Sequence, residues 1–522
     1  MKTPALLAVC PRSLTAALLA VLVSASGVAG AQVTSSSAQQ QTTANQIPLS
    51  GRTSQAGSVT STQQAVPGTT TSVNTINPAV QVAGPYTGST ASTDAMPFSG
   101  KLSFGEAIRR GLGYNLAGVG LTAAVRQTQG QARAVRSALL PNFNGSLSET
   151  VQQTNLQALG VRFSSPIPGF TFPTVVGPFN FFDLRARLSQ TVVDVTALNN
   201  YRSATQTERA TALFLRDAKD LIVLAVGGAY LQAIAARARL DSARAQLDTA
   251  NALYAQTLAQ RKVGLVAQVD VDRSEVQVLT QKQRIASLGN DLAKQKINLA
   301  RMTGLPPNDR YEITDDVPFE PGAAVSADDA VEEAFRGRSD LKAAEAQVRA
   351  AERIAAAARA ERLPSVALNG DYGVIGTNPA NSHGTFSVAG TLRIPIWQGG
   401  RAEGDIEQAG AAVSQRRAEL EDQKAEIESE VRKAYLDLEA AATQVEVAKR
   451  NIQVSQETLD LTRQRFEAGV ADNVEVVQAQ ESLASANLDY INSVFAHNLA
   501  KLSLARSVGN SEENLPRFLK LR

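Results

Sequence analysis

The 522-residue chain holds a single cysteine, Cys10, and two histidines, His383 and His497. One thiol cannot form an intrachain disulfide, and this one sits in the first residues of the chain. The histidines stand over a hundred residues apart without an acidic or thiol cluster beside either, so they do not suggest a metal site. Nucleophile–base pairs, phosphate loops and metal-ligand spacings are also lacking, which argues against an enzyme and against a cofactor. Neither sign of charge dominates. With 51 Lys+Arg against 49 Asp+Glu there is no reason to expect nucleic acid as a partner. Long apolar runs are missing beyond the first residues. The nearest candidate, Leu221 to Tyr230, is too short to span a bilayer and is bracketed by Asp217, Lys219, Asp220 and Arg237. A membrane crossing by this chain therefore has to use β-strands.

What is present begins with an export leader. Lys2 and Arg12 precede the apolar stretch Leu14 to Val23, which runs into Ala29-Gly30-Ala31. Residues 1–31 read as a signal peptide, with the mature chain starting near Gln32. From there to Phe98 the composition is Ser, Thr, Gln, Gly and Ala with few large apolar residues, and residues 32–98 read as a disordered extension.

The remainder is written twice. Leu299-Ala300-Arg301-Met302-Thr303-Gly304 returns as Leu504-Ala505-Arg506-Ser507-Val508-Gly509, 205 positions later, as Gly264 and Asp270 return as Gly469 and Glu475. Leu140-Pro141 matches Leu363-Pro364 at an offset of 223, so the first copy carries an insertion before Leu188. The expected organisation is a first repeat over 99–305, a linker over 306–326, a second repeat over 327–510 and a tail over 511–522. Each repeat reads helix, strand pair, long helix, turn, helix. In the second long helix Val431, Leu438, Val445, Ile452, Leu459 and Phe466 recur every seven residues, accompanied by Ala434, Ala441, Ala448, Ser455 and Thr462. Val226, Ala233, Leu240, Leu247 and Tyr254 repeat the design in the first half. A seven-residue seam makes helices supercoil left-handedly, and about 65 residues of helix reach about 100 Å.

Between the helices lie segments of period two. Phe386, Val388, Gly390 and Leu392 alternate with Thr385, Ser387, Ala389, Thr391 and Arg393; Val366, Leu368, Gly370, Tyr372 and Val374 alternate with polar neighbours; Phe182, Leu184, Ala186 and Leu188 alternate with Asp183, Arg185, Arg187 and Ser189. Together with the less regular Asn142 to Val151 they make four strands of membrane-spanning length. An open sheet cannot exist in lipid, so several copies must close one barrel. Eight strands from a dimer and twelve from a trimer both satisfy that condition. Trp397 and the group Phe163, Phe170, Phe172, Phe179 and Phe181 are candidates for the bilayer interfaces, with packing of the long first hairpin loop as the alternative for some of the phenylalanines. On the helices alone, a periplasmic coiled coil or envelope-spanning filament without a pore is the alternative.

Three short motifs then resemble a known family. Leu392-Arg393-Ile394-Pro395-Ile396-Trp397-Gln398-Gly399-Gly400-Arg401 is similar to the strand-to-helix junction of the TolC-like outer-membrane efflux proteins, where proline ends the strand and a glycine pair precedes the long helix. Val263-Gly264-Leu265-Val266-Ala267-Gln268-Val269-Asp270 and Ala468-Gly469-Val470-Ala471-Asp472-Asn473-Val474-Glu475 resemble its two periplasmic helix tips. The resemblance implies an α+β membrane protein: a homotrimer with a 12-stranded transmembrane β-barrel, four strands per chain, continued by an α-helical coiled-coil tunnel through the periplasm. It also implies a passive duct in the outer membrane, embedded in its lipid and working with a periplasmic adaptor and an inner-membrane pump in efflux or type I secretion. Val263, Gly264, Leu265, Ala468, Gly469 and Val470 would meet the adaptor, and Asp270 and Glu475 would form carboxylate rings at the constricted end. Phe466, Ala471 and Gln478 stand where the resemblance allows a tyrosine, an arginine and a second acidic residue in some relatives, so a hydrogen-bonded lock of that kind is not expected here.

Overall fold

In the computed structural model, residues 57–66, 75–90, 98, 100–158, 160, 173–307, 310–316, 318–320 and 326–513 are described. The expected leader lies outside them, as do Phe163, Phe170, Phe172 and the last nine residues of the tail.

The first element is a hairpin of β1 (Val59–Val66) and β2 (Thr75–Val82), paired antiparallel. The first repeat follows with β3 (Lys101–Leu102), α1 (Phe104–Tyr114), α2 (Leu116–Arg136), β4 (Asn142–Asn155), β5 (Val175–Val193), α3 (Val195–Lys262) and α4 (Gln268–Thr303). The second has β6 (Glu312–Ile313), α5 (Ala327–Gly337), α6 (Ser339–Ala360), β7 (Ser365–Gly376), β8 (Ser382–Arg393), α7 (Arg401–Glu467) and α8 (Asn473–Val508). Both copies begin with the same device. The Ser103 hydroxyl accepts from the amide of Glu106, and the Ser326 hydroxyl from that of Asp329, which satisfies a free N–H at the start of α1 and α5.

The strands form one antiparallel four-stranded sheet in the order β4-β5-β7-β8, leaving β4 and β8 as edges. Its register puts the sequence alternation on two faces. Phe143 pairs with Leu188, Leu147 with Leu184, Leu184 with Val374, Gly370 with Val388, and Tyr372 with Phe386. This apolar face is bare: Phe143, Leu147, Tyr372, Phe386 and Val388 are each 66% exposed or more. The opposite face carries Asp183, Arg185 and Arg187 beside Asp371 and Ser387. Arg185 ion-pairs with Asp371 and, at 3.2 Å, with Asp183, and the Ser387 hydroxyl donates to Asp371 at 2.6 Å, which ties three strands together. Phe179 and Phe181 correct one expectation. They stand opposite Gln152 and Thr150 and share the polar face with Asp183, so strand alternation turns them away from the lipid-facing side. The insertion in the first repeat lengthens the strands and their connection: β5 has 19 residues where β7 and β8 have 12 each.

The helices α3 and α7 run 68 and 67 residues, about 100 Å each at 1.5 Å per residue. Helix α3 packs on α2, α4, α6 and α8, and α7 on α5, α6 and α8. The heptad stripe is the packed face: Val431, Val445, Leu459 and Phe466 are buried with Ala434, Ala441, Ala448 and Thr462. By length and composition α3 is apolar enough to cross a membrane, but 67% of that stretch is buried, within the core formed by Phe104, Ile222, Val226, Tyr230, Leu299, Leu499 and Leu502.

That core also holds the largest departure from the sequence reading. Part of the Ser/Thr/Gln-rich extension folds: Val59 and Tyr86 are buried in the core, and the Val80 side chain stands only 2.5 Å from where a Cβ on Gly228 would be. The hairpin is stabilised by the helices it covers, which its own composition cannot reveal. The inter-repeat linker is likewise part of the fold, since β6 pairs parallel with β3 and Tyr311 is buried. At its end the second repeat extends past residue 510, because the Ser511 amide donates to Asp220 at 2.7 Å and Ser511 is fully buried.

Candidate functional site at the helix tips and strand ends

The tips are built by two copies of one turn. In the first, the Gly264 amide donates to Arg261 O at 3.0 Å and the Leu265 amide to Gln260 O at 2.9 Å. In the second, the Gly469 amide donates to Phe466 O at 3.0 Å and the Val470 amide to Arg465 O at 2.9 Å. Both are Schellman terminations, which need a left-handed residue after the helix, and Gly264 and Gly469 supply it at φ +79 and +71. A Cβ on either glycine would meet nothing within 4 Å, so backbone conformation and not crowding selects glycine here. The turns leave Val263, Leu265 and Val470 at least 70% exposed on the outer end of each hairpin. Ala468 is exposed beside Gly469.

Asp270 and Glu475 occupy the first turns of α4 and α8, where a carboxylate also complements the helix dipole. Neither stands alone. Asp270 lies 3.3 Å from Arg273, and Glu475 lies 3.0 Å from Arg465 across its own turn. The two starts differ in capping: Asp472 accepts from the Glu475 amide at 3.1 Å, whereas Ala267 has no side chain to offer α4.

One residue joins the two tips and was not singled out by sequence. Asn473, 1% exposed, donates from Nδ2 to the carbonyl of Asp270 at 3.0 Å, linking α8 to α4. Farther along the same pair of helices, Gln277 donates to Glu481 at 2.8 Å. Beneath the tips Leu253, Leu459, Phe466, Val476 and Val477 form a local core, and the buried Thr257 and Ser274 hydroxyls, 2.8 Å apart, join α3 to α4. The signal for Asn473 is an amide at a helix start, between Asp472 and the alternating Val474-Glu475-Val476.

The strand ends use different chemistry in the two repeats. Pro395 lies just past β8, and Gly399 and Gly400 are both left-handed, at φ +62 and +85, turning the chain into α7. The first repeat has no glycine pair. There β5 runs directly to Asp194, whose carboxylate caps α3 by accepting from the Ala197 amide at 2.9 Å. Around both junctions Leu140, Val192, Val193, Leu363, Ile394, Ile396 and Trp397 are exposed.

The sequence profile described as outer membrane efflux protein matches residues 121–305 and 330–510, both repeats with the sheet and the tips. The chain belongs to the outer membrane efflux protein family. A 330-residue stretch is 27% identical to the outer membrane protein OprJ of Pseudomonas aeruginosa, covering 60% of this chain and 65% of that protein, just under two thirds of its length. A 393-residue stretch is 23% identical to the outer membrane protein TolC of Vibrio cholerae, covering 72% and 84% of the two chains. Among solved structures, the fold matches the outer membrane protein VceC of Vibrio cholerae with a TM-score of 0.66 at 18% identity, over 78% of this chain and 96% of that one. It matches the open state of the Neisseria gonorrhoeae MtrE channel with a TM-score of 0.63 at 18% identity, over 84% and 98%. As a member of this family the chain resides in the outer membrane, with its long helices extending into the periplasm.

Proposed function

We propose that three copies of this chain form a passive export duct of a tripartite efflux or type I secretion system, docked at its helix tips to a periplasmic adaptor and through it to an inner-membrane pump. The observation that carries the reading is the open sheet, with a bare apolar face and two edges, β4 and β8, paired on one side only. Unpaired backbone groups are too costly to leave in hydrocarbon, so β8 of one copy pairs with β4 of the next until the wall closes. Twelve strands leave a lumen lined by the Asp183, Arg185 and Asp371 face, whereas eight would be filled by side chains. The helices support the same contact. Val447, Val454 and Leu461 on α7, seven residues apart, and Val269, Val276 and Ile297 on α4 are all exposed, as a second copy of the chain would require.

Val263, Gly264, Leu265, Ala468, Gly469 and Val470 are the adaptor contacts in this reading, an apolar knuckle on each tip. Asp270 and Glu475 are the gating carboxylates. Their field is weak, because the first tip carries Arg261, Lys262 and Arg273 close in sequence to Asp270, Asp272 and Glu275, with Arg273 paired to Asp270. The second carries Arg463 and Arg465 close in sequence to Glu467, Asp472 and Glu475, with Arg465 paired to Glu475. Asn473 and Gln277 hold the two hairpins of one copy together at the closed end.

Reconstitution in planar bilayers tests the duct. A trimer that conducts in discrete steps is expected; a monomer that stays soluble without detergent and never conducts would favour a poreless envelope filament instead.

A further inference from the structure

The two repeats offer a controlled comparison, since each packs a shorter helix against a long one just below the sheet. In the second repeat the groove between α6 and α7 is closed by Ala355, Ala358 and Ala409 with Ile406 and Val413. At the matching positions of the first repeat, 205 earlier on the long helix, stand Tyr201 for Ile406 and Glu208 for Val413. The groove there stays open as a cleft of about 200 Å³ lined by Gln129, Ala132, Arg133, Arg136, Tyr201, Thr205 and Glu208.

Charge differs at one of the two matching positions: Arg133 corresponds to Ala356, whereas Arg136 corresponds to Arg359, which is also exposed and in no ion pair among the described residues. Near the second groove Arg362 pairs with Glu403 and Arg417 with Glu352, both at 2.7 Å, and Arg401 with Asp405 at 3.4 Å. Helix α2 contains Arg126, Arg133 and Arg136 and no acidic residue. Both Arg133 and Arg136 are exposed, and neither is in an ion pair among the described residues.

Height decides what such a cleft meets. Exposed Leu140 and the exposed pair Val192 and Val193 mark the lower apolar rim of the barrel. Arg136 precedes Leu140 by four residues, about 8 Å of 3₁₀ backbone, and Tyr201 follows Val193 by eight, about 12 Å of helix. The headgroup layer of a bilayer is some 5–8 Å thick on each side, within reach of long arginine side chains extended toward it.

We propose that the cleft between α2 and α3 binds the phosphate of an anionic phospholipid headgroup in the periplasmic leaflet, with Arg133 and Arg136 as its cations and Tyr201 and Gln129 as neutral donors. The site rests on the membrane-spanning reading of the sheet. Glu208 is the one carboxylate in the cleft and opposes binding. The asymmetry assigns one such lipid to each chain, at the first repeat and not at the second.

The test uses the full-length detergent-purified channel and short-chain phosphatidylglycerol, with short-chain phosphatidylcholine and inorganic phosphate as comparison ligands, read by native mass spectrometry. Phosphatidylglycerol is expected to bind best. The double variant Arg133→Gln, Arg136→Gln should lose roughly 30-fold in its affinity, from the contribution of two surface arginines at a membrane. Glu208→Gln should bind it more tightly, and Arg401→Gln in the second repeat should not change it. Planar-bilayer conductance and heat-modifiable migration, unchanged in all variants, separate failure of this site from failure of the duct. Equal phosphatidylglycerol binding by the double variant overturns the proposal. So does inorganic phosphate binding as tightly as the lipid, which would place an ion site on a water-filled surface. If the double variant misfolds, Tyr201→Ile, which installs the residue of the closed groove, must weaken phosphatidylglycerol binding, and wild-type binding by it overturns the proposal too.

Discussion

Replacing Gly469 separates two things the tip provides: a left-handed backbone and an open surface. At φ +71 an alanine costs about 1–2 kcal/mol from backbone sterics, an asparagine less, and valine more because of its β-branch. No atom lies within 4 Å of the position a Cβ would take, so nothing else in the chain adds to that cost. Local unfolding of the turn would release the Val470 amide from Arg465 O and, with it, the placement of exposed Val470. The core beneath, anchored by Leu459, Phe466 and Val476, is untouched, so barrel assembly and trimer yield should remain at wild-type levels. In cells lacking their own channel, tolerance to efflux substrates should therefore fall in the order glycine, asparagine, alanine, valine. Gly264 should behave alike, and Gly264→Pro or Gly469→Asp should abolish export. Equal loss in Asn and Ala variants would mean that the partner reads a bare surface and not the turn. Wild-type tolerance in the Val variant would refute the docking assignment.

Three further outcomes follow from the same geometry. Glu475→Ala removes a carboxylate and leaves Arg465 without its 3.0 Å partner, so the reversal potential in a salt gradient should move toward anions; an unchanged potential would exclude this residue from the constriction. Asn473→Ala deletes the link to the Asp270 carbonyl and should raise the open fraction in bilayer recordings without lowering trimer yield, whereas unchanged gating would show that the link does not hold the closed end. Asp217 gives a pH dependence. Burial pushes its carboxyl up to about 6, opposed by Arg506 at 2.7 Å and reinforced by Asp340 and Asp220, with Arg338 opposing. A folded pKa above the unfolded value of about 4 means that the native state binds more protons between those values, so stability falls as pH rises through that window. Going from pH 7 to pH 5 this group adds about 1 kcal/mol to stability; buried His497, pushed down to about 4, works against it over the same interval, so the increment is read as the difference between wild type and Asp217→Asn. Identical pH profiles of thermal unfolding in the two proteins would contradict it. Asp340, held below the usual carboxylate range by Arg338, loses its contribution only at lower pH and does not mask the effect.

Legibility from the sequence followed the range of the interactions. The strands and long helices could be read because their signals are local: alternation at Val366 to Val374 and Phe386 to Leu392, and a seven-residue stripe from Val431 to Phe466. The tips could be read because a left-handed turn requires glycine at one position, and Gly264 and Gly469 recur at the repeat offset. The face taken by Phe179 and Phe181 is not legible from composition, which gives no parity, whereas their opposition to Gln152 and Thr150 fixes it.

Periodicity along the chain dictates the duplicated plan, the apolar face of each strand and, because lipid refuses unpaired backbone, the need for a closed wall. Packing between distant segments places the hairpin from Val59 to Val82 on α3 and α8 and brings Asn473 to Asp270. It also seals one groove between paired helices while its counterpart stays open. Each of these is a contact between residues far apart in the chain, stabilised by burial that exists only once the long helices have brought both partners together.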